Sequence, residues 1–297
     1  MKFKLPTRIQ VMSPNPMFDK QDMIRAMRTH LALAPYLIPE KWGWTEPRTV
    51  FDPDNVEQII PHVSDELWES NMKWLEKRRS LGDEVFYAPR GQADSVHWKR
   101  SKKPKAEGSL GVGWINEFPH NNMLHSDMGF NCEFGQIDQE HHIHYLKQFS
   151  IAFDAHFSML DVVTPYYADF GRKSGAALYG DLYITTHELR HWLPDIFWGT
   201  VLGPPYVALL GKDRLLSAPV AVAEEIAPDM IYIQLTADFS DAVADPEGLM
   251  AKRQMFKDHV GVKAFYEESC GFVRYDFGDR EIPFDLFETP DFNLIAE

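Results

Sequence analysis

The chain has 297 residues, is 44% hydrophobic and 13% aromatic, and carries a formal net charge of −14. That composition describes a packed globular protein with a sizeable core and excludes a disordered chain. The sign of the charge argues against a nucleic-acid binder, and no run approaches the roughly 18 uninterrupted apolar residues of a membrane span.

Residues 3–12 alternate loosely and read as a strand. A helix is predicted over 18–34, with Met23, Ile24, Met27 and Leu31 at helical spacing. Pro35, Pro39 and Pro47 then break the chain around Trp42-Gly43-Trp44, and a second helix is predicted over 64–80. Segments 84–88, 95–101, 110–117 and 123–130 are short, aromatic or β-branched, and separated by Pro, Gly and Asn, as in an antiparallel meander. The basic run Trp98-Lys99-Arg100-Ser101-Lys102-Lys103-Pro104-Lys105 reads as a solvated strand end or hairpin rather than a phosphate site. A long helix is predicted over 138–157. A strand follows at 195–202, a short helix at 205–210, a strand at 230–236 and a helix at 246–259. Strands and helices are segregated rather than strictly alternating. The expected class is α+β, with mainly antiparallel sheets and packed helices. Two lobes in one compact unit, 1–165 and 166–297, are the expected organisation.

His187-Glu188-Leu189-Arg190-His191 matches H-E-x-x-H, which on a helix places two imidazoles and a glutamate for zinc hydrolysis. The surroundings favour a plainer reading. Thr185 and Glu188 stand in the relation of a capping box, and Pro194 stops the helix after about two turns. The extended motif would need glycine at 194 and histidine at 197, where the chain has Pro194 and Phe197. Glu225 and Asp229 match a downstream E-x-x-x-D ligand helix, but Pro228 interrupts it. The expectation is a capped short helix with no metal and no cofactor; a zinc-dependent hydrolase using His187, Glu188 and His191 is the alternative.

His141, His142 and His144 lie on the long helix and read as a largely solvated surface. Neither Cys132 nor Cys270 sits in a nucleophile setting, and no G-x-S-x-G occurs. Two reduced thiols and an N-terminus without an apolar signal core suggest a cytoplasmic protein. The charge is uneven: residues 223–297 hold seventeen Asp and Glu against six Lys and Arg. A face of that sign suits a basic partner. Asp238, Asp241, Asp245 and Glu247, between the strand at 230–236 and the helix at 246–259, are the candidate contacts.

The most distinctive stretch is 193–219, LPDIFWGTVLGPPYVALLGKDRLLSAP. It reads as a buried strand, a turn at Gly203, a helix opened by Pro204-Pro205 and a cap at Gly211. This stretch resembles the signature region of bacterial immunity proteins, in particular the immunity protein 52 family found beside polymorphic and type VI toxins. Trp42-Gly43-Trp44-Thr45-Glu46-Pro47, the stretch from Phe86 to Trp98-Lys99-Arg100 leading into Gly108 to Trp114, and IYIQLTADF at 231–239 suit the same layout. The resemblance implies a cytoplasmic, non-enzymatic protein that binds and occludes a cognate toxin domain. It passes on no binding residues; a non-enzymatic defence or assembly binding protein on the same scaffold is the further alternative.

Overall fold

The computed structural model describes residues 3–15, 20–43, 46–59, 96–110, 126–164, 189 and 193–265. The predicted helix at 64–80, the strand at 84–88, most of 110–117 and Cys270 lie outside them.

The described residues build one sheet of ten strands with helices packed on it, the α+β class expected from the sequence. In chain order the strands are β1 (Pro6–Ser13), β2 (Lys41–Gly43), β3 (Thr49–Val50), β4 (Val96–Arg100), β5 (Ala106–Leu110), β6 (Ser126–Glu133), β7 (Phe157–Val162), β8 (Gly199–Leu202), β9 (Val222–Ala227) and β10 (Met230–Gln234). The helices are α1 (Lys20–Leu33), α2 (Gln139–Ala152), α3 (Pro204–Leu210), α4 (Lys212–Leu216), α5 (Asp241–Ala244) and α6 (Pro246–Val260). The strand order is β3-β2-β4-β5-β6-β1-β7-β8-β10-β9, and every pairing is antiparallel. The pairing of β7 with β8 carries this sheet across position 165.

Directly opposed residues of antiparallel strands share a face, so the register sorts the side chains. One face carries Trp98, Phe130, Ile9 and Leu160 in one row, and Val96, Leu110, Met128, Val11, Val201 and Tyr232 in the next. Helices α1 and α2 cover it. Met23, Ile24 and Met27 bring the buried stripe of α1, and Tyr145, Phe149 and Phe153 follow at i, i+4 and i+8 along α2. The rings of Tyr145 and Phe149 stack at 5.1 Å, and Phe130 meets Tyr145 edge-on at 5.0 Å. Burying each such side chain contributes about 1.5–3 kcal/mol.

The basic run forms the hairpin between β4 and β5, with Lys102, Lys103 and Lys105 exposed, as its composition suggested. Helix α2 ends five residues before its expected end. Asp154 takes a left-handed backbone (φ 49°), and Ala155 N–H donates to the Ser150 carbonyl, so the chain reverses and Phe157 opens β7. Likewise, only 199–202 of the predicted strand 195–202 is in the sheet. Its first residues are buried but bonded by side chains: Phe197 N–H donates to Thr200 Oγ1 and Trp198 N–H to Asp161 Oδ2. Glu225 is in strand β9, not a helix. Pro228-Asp229 turns the chain into β10 with Asp229 at φ 53°, and Glu225 and Asp229 both hold the Lys212 ammonium.

Two histidines, His30 and His142, are buried, and His156 is half-buried. His30 lies 4.7 Å from the Trp98 ring centroid, accepts from Tyr145 O–H at Nδ1 and donates from Nε2 toward the Leu37 carbonyl. His142 donates from Nδ1 to the Asp138 carbonyl and faces the Cys132 thiol with Nε2. Burial lowers His30, His142 and His156 to about 4 each, and pushes the Cys132 thiol up to about 12. An unfolded chain protonates these rings near 6.5, so it binds more protons than the folded chain between the two values. Stability is therefore full above pH 6.5 and falls as pH drops toward 4, by up to about 1.4 kcal/mol per pH unit for each ring. Urea titrations from pH 7 to 4.5 should show this slope, and His30→Phe should reduce it by about one proton.

Candidate functional site

The acidic residues singled out in the sequence occupy one consecutive stretch that leaves β10 and enters α6. Asp238 is exposed and folds back on itself: Oδ1 accepts from Ser240 N–H at 2.8 Å, and hydrogen bonding from Ser240 holds its carboxyl below the ordinary range. Asp241 opens α5. Asp245 caps α6, accepting from Gly248 N–H at 2.9 Å, with Pro246 at the first helical position. Glu247 is exposed in the first turn of α6, where a negative charge suits the helix dipole.

These four differ from the other acids nearby. Between Arg214 and Lys252 the chain has seven acidic residues and no Lys or Arg. Three of the seven are neutralised: Glu224 by Lys147 of α2, and Glu225 and Asp229 by Lys212. The remaining four, at 238–247, have no cationic partner among the described residues.

The stretch is held from two sides. Gln139, the first residue of α2, clamps its backbone: Nε2 donates to the Ala237 carbonyl at 3.0 Å, and Oε1 accepts from Phe239 N–H at 2.6 Å. Exposed Asp138 and Glu140 flank Gln139 and extend the acidic surface onto α2. Trp198 supplies the second hold. Its indole N–H donates to Thr236 Oγ1 and to the Asp238 carbonyl, and its ring lies 4.6 Å from that of Phe239. Sequence reasoning gave Gln139, Asp138 and Glu140 no role, although an acid on either side of Gln139 was visible.

Trp198 is fixed in turn by a buried ionic junction. Asp161 of β7 accepts from Val162 and Trp198 N–H groups and from Arg253 Nη2 at 2.6 Å. Arg253 of α6 also donates through Nη1 to the Ile196 carbonyl at 2.8 Å and to Asp195 Oδ2 at 3.2 Å. Lys257, one turn on, completes an ion pair with Asp195. Arg253, Asp161 and Asp195 are 1%, 0% and 3% exposed. Burial raises both carboxyls above their ordinary range, opposed at Asp161 by Arg253 and at Asp195 by Lys257.

Of the zinc-hydrolase string, His187, Glu188 and His191 lie outside the described residues. Leu189 is buried, and its carbonyl accepts from the Tyr206 hydroxyl at 2.6 Å. On α2, His141 and His144 are exposed whereas His142 is buried in the core. Among the described residues no group of three or more His, Cys, Asp or Glu is arranged to hold a metal ion, and no helix is long and apolar enough to cross a membrane.

No protein-family model matches the chain, and no curated protein does. Among solved structures, the Pseudomonas aeruginosa T6SS protein PA0821 is similar at 12% identity with a TM-score of 0.47, over 98% of this chain and 80% of that one. No residue or activity is carried over from it.

Replacing Arg253 by Met would leave Asp161 and Asp195 buried without their guanidinium. Loss of one partner of such a junction costs about 3–5 kcal/mol, and urea unfolding should show it. The triple variant Asp161→Asn/Asp195→Asn/Arg253→Met should recover part of that loss.

Proposed function

We propose that this protein is a non-enzymatic binding protein of the immunity type, which neutralises a cognate toxin domain by covering it, with residues 238–247 in the contact. The observation that carries this reading is that Asp238, Asp241, Asp245 and Glu247 are the acids of this region without cationic partners, on a backbone already locked by Gln139, Trp198 and the Asp245 cap. A pre-ordered loop loses little conformational freedom on binding. Uncompensated negative charge speeds encounter with a basic surface and repels anionic nucleic acid and membrane surfaces. The resemblance of 193–219 to immunity proteins supports the same reading and supplies its biological setting: a cytoplasmic partner of a polymorphic or type VI toxin.

On this reading the mechanism is steric. The toxin's basic groups settle against the acidic stretch, and the bulk of the sheet-and-helix body excludes its substrate. No bond is made or broken by this chain.

The test is binding to the product of the adjacent toxin gene, measured by calorimetry at 50 and 300 mM salt. Asp241 and Glu247 are the residues to reverse, because Asp238 and Asp245 also hold the backbone. Asp241→Lys/Glu247→Lys should weaken binding by roughly tenfold or more at low salt and flatten the salt dependence, with an unchanged circular dichroism spectrum. Equal affinity of wild type and variant at both salts would overturn the assignment of the contact. Absence of any complex with the adjacent product would overturn the immunity reading.

A further inference from the structure

The sheet face opposite α1 and α2 is polar across its first half. The register places Lys99, Glu107, Asn131, Arg8 and Asp161 in one row, and His97, Ser109, Gly129, Gln10, Met159 and Thr200 in the next. Arg8 and Gln10 belong to β1, the sixth of ten strands, where apolar side chains would be expected on both faces of a closed core.

Arg8 is 9% exposed, and its Nε is buried with no hydrogen-bond partner. The guanidinium makes no hydrogen bond or ion pair to any described residue. The obvious counter-ion is its cross-strand neighbour Asp161. That carboxylate is committed elsewhere, to Arg253, Trp198 N–H and Val162 N–H. A buried cation without a partner is costly, and such groups are normally completed by protein, water or ligand.

The geometry beside Arg8 suits a ligand. Gly129 stands between Ser109 and Gln10 and contributes no side chain. A Cβ there would run into the Ile9 carbonyl oxygen, because the β1 backbone passes close against it, so the row carries no side chain at this position. Arg8, Gln10, Asn131 and Ser109 are the side chains nearest it by register, a forked cation with amide and hydroxyl groups.

We propose that Arg8 anchors a binding site for the carboxylate of a small molecule on this polar face. A guanidinium presents paired N–H donors at the spacing of the two carboxylate oxygens. The charge chooses between oxyanions: one unpaired positive charge balances a carboxylate, whereas a phosphate dianion would add excess negative charge beside Asp161. This site is separate from the acidic stretch at 238–247 and stands or falls independently of it.

The experiment uses the whole chain with sodium acetate as probe, against sodium chloride and sodium phosphate at matched ionic strength. The melting temperature and the line width of 13C-acetate are followed together. Wild type should show a saturable rise in melting temperature and broadening with acetate, but not with chloride or phosphate. Arg8→Met should lose both, and Arg8→Lys should bind about tenfold more weakly because the fork is gone. In chloride, Arg8→Met should melt no lower than wild type, since it removes an unpaired buried charge. Three results would each overturn the proposal: no saturable response to acetate in wild type, an equal or larger response to phosphate, or a large loss of stability in Arg8→Met that reveals a structural partner.

Discussion

The Arg253 guanidinium is the point on which the second half of the fold depends. It joins a helix (α6), a strand (β7) and a segment without regular structure (193–198) through one planar group. Leu193 N–H donates to the Ala264 carbonyl, and beyond it segment 193–198 is bonded largely through side chains: Asp161 takes Trp198 N–H, Thr200 takes Phe197 N–H, and Arg253 takes the Ile196 carbonyl. Buried ion pairs contribute little net stability, because desolvation offsets much of the attraction. The physical return here is geometric. A charged fork admits one arrangement, whereas an apolar contact would tolerate several, and that arrangement sets the Trp198 indole against the acidic stretch.

The two sheet faces solve different problems. The α1–α2 face is closed by interlocking aromatic rings, with His30 and Tyr145 completing each other's hydrogen bonds inside it. The opposite face divides. Around β7, β8 and β10 it is apolar, with Met159, Phe157, Leu202 and Ile231. Around β1, β5 and β6 it is polar and half-buried to buried. The two sheet edges also differ: β3 is two residues long, while β9 is six and carries Glu224 and Glu225 at its middle. Paired charges on an edge strand discourage indiscriminate strand pairing.

Much of this was legible in the sequence because it follows from periodicity and turn chemistry. Helix α1 lies inside the expected 18–34, α6 matches 246–259 within a residue, and Pro204-Pro205 and Gly211 bound α3 as their backbone preferences require. The elements missed were β2, β3, β5, β7, β9 and α5, of which β7 and β9 are the most telling. FSMLDV is a short buried run, and such runs do not distinguish a strand from a helix tail by period alone. VAEEIA carries glutamates that favour helix, and only pairing with β10 overrides them. The acidic stretch was legible because net charge is additive along a chain. The Gln139 clamp joins residues about a hundred positions apart, and the unpaired state of Arg8 depends on where Asp161 spends its hydrogen bonds; neither has a local signature. A lone aspartate within an apolar run, Asp161 in FSMLDVV and Asp195 in LPDIFW, was the available hint of the buried junction.

If the junction holds the acidic stretch in place, loosening it should be felt at a distance along a specific route. Hydrogen exchange of wild type and Arg253→Met, compared segment by segment under conditions where both remain folded, tests this most directly. Protection should fall together in 195–198, 236–241 and 246–256 while β1, β6 and α2 keep theirs. Loss confined to the turn of α6 around residue 253, or spread evenly over the whole sheet, would contradict the claim that Arg253 organises the surface.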